Sequence, residues 1–423
     1  MLSRRQLLSQ GAMLSLGAAL SRPALAQSKP KCVIIGGGPA GSSVVRALAA
    51  SAAGKIDITL IEAQPEYSAC FHSNLYLGGF NRRDKLQFSF DGIKKLAGVK
   101  VVNATAEIIE REKREILLEG GGSVPYDLLV VSPGIELDYA SVPGWSKEAE
   151  QRMPHAWKGG AQLDLLKKQL DAVLDGGVIV VLAPPSPYRC PPGPYERVSM
   201  MAHTLVTAGK KQAHVIILDA KESFSKQPLF QQGWEQHYSG MVEWLPPSIH
   251  GGIKSVNPAT MTVETDFETY KAAALVNVIP RQTAGRIAVK AGLTDEKGYC
   301  PIDAFTMKSR LDPHIFAVGD ACIAGDMPKS AFAANNQAQV AAQAIKAELL
   351  GDPLQEAEYH NTCWSLISTD DSVKIGGTYK PTPQKIQEVS RFISGMNDTA
   401  DVRRQNFRDS MAWYARLTSE LFG

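Results

Sequence analysis

Residues 32–35 form an unbroken apolar run, Cys32-Val33-Ile34-Ile35, closed by Gly36-Gly37-Gly38. A helical stretch follows, and a second mostly apolar run, Ile58-Thr59-Leu60-Ile61, ends on Glu62. Short apolar runs bounded in this way read as buried strands, because helices cover both faces of a parallel sheet. The same pattern gives strands at 126–131, closed by Ser132-Pro133-Gly134, at 177–183, closed by prolines, and at 314–318, closed by Gly319-Asp320. Helical periodicity covers 162–174 and 332–349, and near the end it puts Phe407, Met411, Tyr414, Leu417 and Leu421 on one face. Strands alternating with helices predict a doubly wound α/β chain.

The order strand, glycine turn, helix, strand, acid also has a chemical meaning. Gly36 permits the tight turn, Gly38 lets the backbone approach a pyrophosphate, and Gly41 lets helix and strand pack closely. The helix N-terminus offers amide donors to phosphates, and Glu62 is placed to accept a ribose hydroxyl. A dinucleotide site is therefore expected here. Ahead of it, Arg4-Arg5, an uncharged stretch from Gly11 to Leu20 and Ala24-Leu25-Ala26 read as a twin-arginine export signal over 1–26. Its expected consequence is a periplasmic protein that receives its cofactor before crossing the membrane.

The rest of the chain is too long for one hydrophobic core and implies two or three domains. A net charge of +2 gives no case for nucleic acid. No apolar run of about 18 residues follows the signal, so membrane insertion is not expected.

Between 151 and 270 the strand 177–183 is in the position where a nicotinamide-binding domain would feed a second glycine-rich loop. The chain instead continues Pro184-Pro185-Ser186-Pro187-Tyr188-Arg189-Cys190-Pro191-Pro192-Gly193-Pro194-Tyr195-Glu196. Prolines remove backbone donors and no GxGxxG is present, so electrons are not expected to come from NAD(P)H. The six cysteines, Cys32, Cys70, Cys190, Cys300, Cys322 and Cys363, form no CxxC or CxxxxC pair. No CxxCH occurs, so no c-type haem is expected on this chain, and the scattered Cys and His argue against a metal site. Cys32 is expected to be a buried small hydrophobe, and Cys300 and Cys322 structural or free.

The opening loop, the 126–134 segment with Gly134 and the 314–320 segment with Gly319-Asp320 resemble the FAD-binding segments of the two-dinucleotide-domain disulfide reductases. That resemblance makes Asp320 a ligand of FAD. Lys329, in the lead-in to the helix at 332, is grouped with the cofactor ligands, and the helix N-terminus is expected to face the flavin. Tyr67-Ser68-Ala69-Cys70-Phe71-His72-Ser73-Asn74, the Arg189–Glu196 run and Asn361-Thr362-Cys363-Trp364-Ser365 narrow the likeness further. Over essentially the whole chain it is similar to the flavoprotein subunit of flavocytochrome c sulfide dehydrogenase; a segment around Asp370 to Pro383 looks shorter than the family pattern.

The resemblance implies a thioether from Cys70 to the flavin, a redox-active disulfide between Cys190 and Cys363, and Glu196 as acid/base. It also implies sulfide as substrate and a separate c-type cytochrome subunit as electron acceptor. The fold class it implies has two Rossmann-like dinucleotide-binding-type domains, the FAD domain discontinuous, plus a C-terminal α+β interface domain. Boundaries are expected at 29–150 and 271–345 for FAD binding, 151–270 for the NAD-like domain rebuilt as a substrate/disulfide domain, and 346–423 for the interface domain. The C-terminal amphipathic helix could cover the first domain or a partner.

Some features read without the family. Cys70 follows the ribose-binding strand on the side where an extended FAD points its rings. A bond between Cys190 and Cys363 would offer hydrosulfide an electrophilic sulfur, leaving a persulfide on one cysteine and a thiolate on the other. Three other readings stand beside this one: a sulfide:quinone oxidoreductase, an NADH-dependent disulfide reductase, and a flavin-bearing electron-transfer protein without substrate chemistry.

Overall fold

The structure is a computed structural model that describes residues 28–423; the expected export signal lies outside the described residues. The chain opens with β1 (Lys31–Ile35), α1 (Pro39–Ser51) and β2 (Asp57–Glu62), followed by a short helix α2 (Ser73–Leu77), β3 (Val99–Asn103) and β4 (Leu128–Val131). β1 is buried from Cys32 to Ile35, and β4 is buried throughout, as strands covered on both faces must be. Cys32 pairs with Ile58 on one side and Leu128 on the other, and burial pushes its thiol up to about 12.

The chain then leaves this sheet. Helix α3 (Ala161–Ala172), β5 (Val178–Ala183), α4 (Gly193–Thr207), β6 (His214–Asp219), α5 (Gln227–Tyr238), β7 (Val242–Leu245) and β8 (Leu275–Val278) build a second unit. Its parallel sheet has the order β7–β6–β5–β8. β8 pairs with β5 from Leu275 to Val278, so the central unit extends to 278, and the boundary expected at 270 falls one strand early.

β9 (Ile315–Ala317) returns to the first sheet and completes the order β9–β4–β1–β2–β3. The FAD-type domain is therefore discontinuous, as expected. α6 (Ala331–Leu350) packs along α1. A three-stranded antiparallel sheet follows, of β10 (Tyr359–Ser368), β11 (Asp371–Pro381) and β12 (Ile386–Ile393), with α7 (Ala400–Phe422) last. The segment read as short, Asp370 to Pro383, is a tight turn with Asp370 at φ +59° followed by β11 itself.

Each parallel sheet carries its own core, and α7 joins both. Leu417, Leu421 and Phe422 pack into the first core and Tyr414 into the second. The Phe422 ring stacks on Tyr67 at 5.2 Å and on Phe88 at 5.0 Å. The apolar face of α7 is thus used within the chain, against the second core as well as the first domain that the sequence offered.

Candidate functional site

The dinucleotide end of the site is built from close backbone contacts. Gly36 has φ +95°, a conformation L side chains rarely adopt, and a Cβ there would come 2.4 Å from the Ser132 carbonyl oxygen. A Cβ on Gly41 would lie 1.9 Å from the Gly36 carbonyl oxygen, so only glycine lets α1 start against the turn. At Gly38 the nearest atom to a Cβ would be a Tyr67 ring carbon at 3.7 Å, which leaves the turn open to a ligand. Glu62 Oε2 accepts from the Gly37 amide at 2.6 Å and Oε1 from the Gln64 amide at 2.8 Å. The carboxylate is thereby fixed at the end of β2, with lone pairs left for a sugar hydroxyl.

From this turn a cleft of about 760 Å³ runs past Cys70 and Asp320 to Cys190, Glu196 and Cys363. The N-terminus of α6 opens onto it at Ser330 to Phe332, with the Ser330 hydroxyl accepting from the Ala333 amide. Four buried polar atoms on cleft residues have no partner among the described residues: His72 Nδ1, Trp157 Nε1, Asp320 Oδ1 and Trp364 Nε1. Native structures rarely leave such atoms unpaired, so the orphans mark where a polar-edged ligand fits. The glycine turn, the fixed carboxylate and these atoms together fit FAD.

Asp320 follows Gly319, whose φ is +76° and whose amide donates to Gln337 Oε1 at 2.8 Å. The other Asp320 oxygen, Oδ2, lies 3.6 Å from the Arg189 guanidinium. Gly134 also lines the cleft, in the left-handed region at φ +68°. Lys329, grouped with the ligands from sequence, is not among the cleft residues. Its ammonium donates to the carbonyls of Asp320 (2.9 Å) and Cys322 and lies 3.9 Å from the Tyr299 ring centroid. It ties down the turn that carries Asp320 and does not itself face the cleft.

The three sulfurs of the cleft come from different elements. Cys70 lies on the loop between β2 and α2, near Tyr67 and Arg189. Cys190 sits at φ +58° in the proline-rich loop, held by its amide to the Lys329 carbonyl (2.8 Å) and by the Gly193 amide to its own carbonyl (2.7 Å). Cys363 is on β10, with Asn361 Nδ2 3.5 Å from its sulfur. Burial, and then the neighbouring Cys363, push the Cys190 thiol well above its ordinary range. Burial also raises the Cys363 thiol, against the opposing pull of Asn361, Lys226 and Ser330. Both residues are thiols in this structure. Cys300 and Cys322 are buried partners on two short parallel strands and are free.

Glu196 lies in the first turn of α4, where the helix dipole favours a negative charge. Its Oε2 accepts from Asn74 Nδ2 at 2.9 Å and its Oε1 from the Leu366 amide at 2.9 Å. Burial raises its pKa, and these two bonds pull the other way. Asn74 also accepts from the buried Arg197 Nε at 3.1 Å and donates to the Gly193 carbonyl at 3.1 Å. Arg197 is anchored to the carbonyls of His155 (2.8 Å) and Ala156 (2.6 Å) and lies 4.7 Å from the Trp157 ring centroid. One amide side chain thus joins α2, α4 and the acid. Asn74, Arg189 and Arg197 stood inside or beside recognised motifs and were given no role from sequence. Lys226, behind β10, carried no sequence signal at all.

Residues 163–280 match the family described as "Sulfide dehydrogenase [flavocytochrome c] flavoprotein chain, central", and residues 355–422 match "Flavocytochrome c sulphide dehydrogenase, flavin-binding". Residues 30–181 match "Pyridine nucleotide-disulphide oxidoreductase". The chain is similar to a mitochondrial sulfide:quinone oxidoreductase of Dictyostelium discoideum, 22% identical over 347 residues, 77% of this chain and 72% of that protein. The sulfide:quinone oxidoreductase of Aquifex aeolicus shares the fold, with TM-score 0.74, 14% identity and 93% and 91% of the two chains covered. A NAD-dependent persulfide reductase of A. fulgidus does so with TM-score 0.61, 16% identity and coverage of 90% and 77%.

Proposed function

The chain belongs to the flavocytochrome c sulfide dehydrogenase flavoprotein family, and on that premise we propose that it oxidises sulfide to sulfur or polysulfide through a Cys190–Cys363 disulfide. The reading is carried by one observation: two cysteines 173 positions apart, with Glu196, line the same cleft as Glu62 and Asp320.

Hydrosulfide attacks one sulfur of the disulfide, the S–S bond breaks, and a persulfide forms on one cysteine with a thiolate on the other. Glu196 takes up the proton of the incoming sulfide; its two hydrogen bonds hold the carboxylate in position and leave lone pairs free for it. A second sulfide then removes the outer sulfur and leaves the dithiol. Glu62 and Asp320 would hold FAD in the cleft, where it would supply a two-electron acceptor able to pass electrons on singly. Cys70, on the same cleft wall, would tether it by a thioether.

The proposed acceptor is a c-type cytochrome in the periplasm. A quinone is the second reading, favoured by the likeness to sulfide:quinone oxidoreductases. No helix of the described residues is long and apolar enough to cross a membrane.

Anaerobic stopped-flow mixing of the FAD-loaded protein with sulfide, and separately with NADH, tests the donor; a cytochrome c and a soluble quinone then compete as acceptors. Bleaching by sulfide and turnover with cytochrome c are expected. Bleaching by NADH alone overturns the reading, and turnover with quinone alone replaces the acceptor.

A further inference from the structure

Behind the strand that carries Cys363 lies a buried lysine. Lys226 is 3% exposed, with φ +64° at the start of α5. Its ammonium donates to Ser365 Oγ at 2.8 Å and to the carbonyls of Cys363 at 3.3 Å and Val373 at 3.4 Å. The Phe230 ring closes another side, its centroid 5.7 Å away. All three acceptors are neutral oxygens. An ammonium taken out of water without a carboxylate on it is a strongly unfavourable arrangement, and one that persists calls for a charge that comes and goes.

The titratable groups that face it are Cys363 from β10, Cys190 from the proline-rich loop and Glu196 from the first turn of α4. Burial pulls the ammonium down to about 8, against the upward pull of those three groups. The surroundings of the two sulfurs differ. Cys363 has Asn361 Nδ2 at 3.5 Å and the lysine on its own carbonyl, and there Asn361 and Lys226 outrank the opposing Glu196. At Cys190 the neighbouring Cys363 and Glu196 outrank Lys226.

Resting on the disulfide reading above, we propose that Lys226 is a positioning residue whose ammonium stabilises the thiolate left on Cys363 when the disulfide opens. Hydrosulfide then bonds to Cys190 Sγ, the Cys190–Cys363 bond breaks, and its electron pair stays on Cys363. The persulfide is on Cys190, and no outside oxidant or reductant enters this step.

The test uses FAD-loaded protein with Lys226→Met, Lys226→Gln and Lys226→Arg. Counting thiols after denaturation shows first whether each resting protein holds the disulfide. The dithiol–disulfide equilibrium is then measured against a dithiothreitol redox buffer, and the thiolate is titrated by its ultraviolet absorbance. Met and Gln should make the disulfide at least tenfold harder to reduce, about 30 mV for a two-electron couple, and should move the thiolate titration upward. Gln keeps a donor for Ser365, so it separates charge from hydrogen bonding, and Arg should restore most of the effect. An unchanged equilibrium in Met and Gln proteins that retain the disulfide overturns the role of Lys226 alone. Absence of the disulfide from the native protein overturns the underlying reading, and this one with it.

Discussion

Replacing Asn74 by alanine should change both the stability of the protein and its pH dependence, by amounts that follow from three hydrogen bonds. The amide donates to Glu196 Oε2 (2.9 Å) and the Gly193 carbonyl (3.1 Å) and accepts from Arg197 Nε (3.1 Å). Leaving a buried partner unsatisfied costs roughly 1–3 kcal/mol, and these sites sit against a cleft that water can enter, so a total of about 3 kcal/mol is expected. The bond to Glu196 has a second effect. It stabilises the carboxylate, and a hydrogen bond to a charged group contributes about 1.5–3 kcal/mol. At 1.36 kcal/mol per unit, its loss should raise the Glu196 pKa by about one to two units beyond the raised value burial already gives it. If Glu196 must be ionised to take a proton from sulfide, the acid limb of the rate of flavin reduction moves to higher pH by that amount. The assay is stopped-flow reduction by sulfide across the acid range, with thermal unfolding to confirm a folded protein. A folded Asn74→Ala protein whose acid limb does not move would refute Glu196 as the titrating base.

Cys70→Ser should bind FAD and release it on acid precipitation, whereas the native protein keeps flavin on the peptide containing Cys70, as mass analysis would read directly. Gly41→Ala places a methyl 1.9 Å from a backbone oxygen, and the forced shift should cost about 1–3 kcal/mol and lower the melting temperature measurably. His155 is 4% exposed, and burial with the nearby Arg197 holds its pKa down near 3. The unfolded chain then binds a proton that the folded one refuses, so this residue costs stability progressively as pH falls from about 6.5 towards 3, by about 1.36 kcal/mol per unit. Urea unfolding of His155→Gln should show a slope against pH shallower by one proton, and an unchanged slope would remove His155 from the acid response.

The fold was legible where backbone geometry constrains residue type. Gly36 and Gly41 are required by atoms less than 2.5 Å from where a Cβ would sit, and the apolar runs are strands buried on both faces. The central boundary was misread because the 275–278 strand is apolar like every other, and nothing in it tells which of two sheets it joins. At the site, cysteines and carboxylates declared themselves by chemistry and by family pattern. Lys329 did not follow from that logic: lysine is expected at the surface or on a ligand, and here it holds two carbonyls of a turn. Lys226 and Asn74 act through contacts 137 and 122 positions away in the chain, a separation no local pattern encodes.

The central claim is that sulfide reacts at a bond between Cys190 and Cys363. Its most direct test is to mix resting protein anaerobically with one equivalent of sulfide, trap thiols by rapid alkylation, and map the peptides by mass. The account predicts a Cys190–Cys363 crosslink before mixing, and afterwards one cysteine alkylated and the other carrying an extra sulfur. Two cysteines already alkylated before mixing, in protein whose flavin sulfide still reduces at the normal rate, would contradict it.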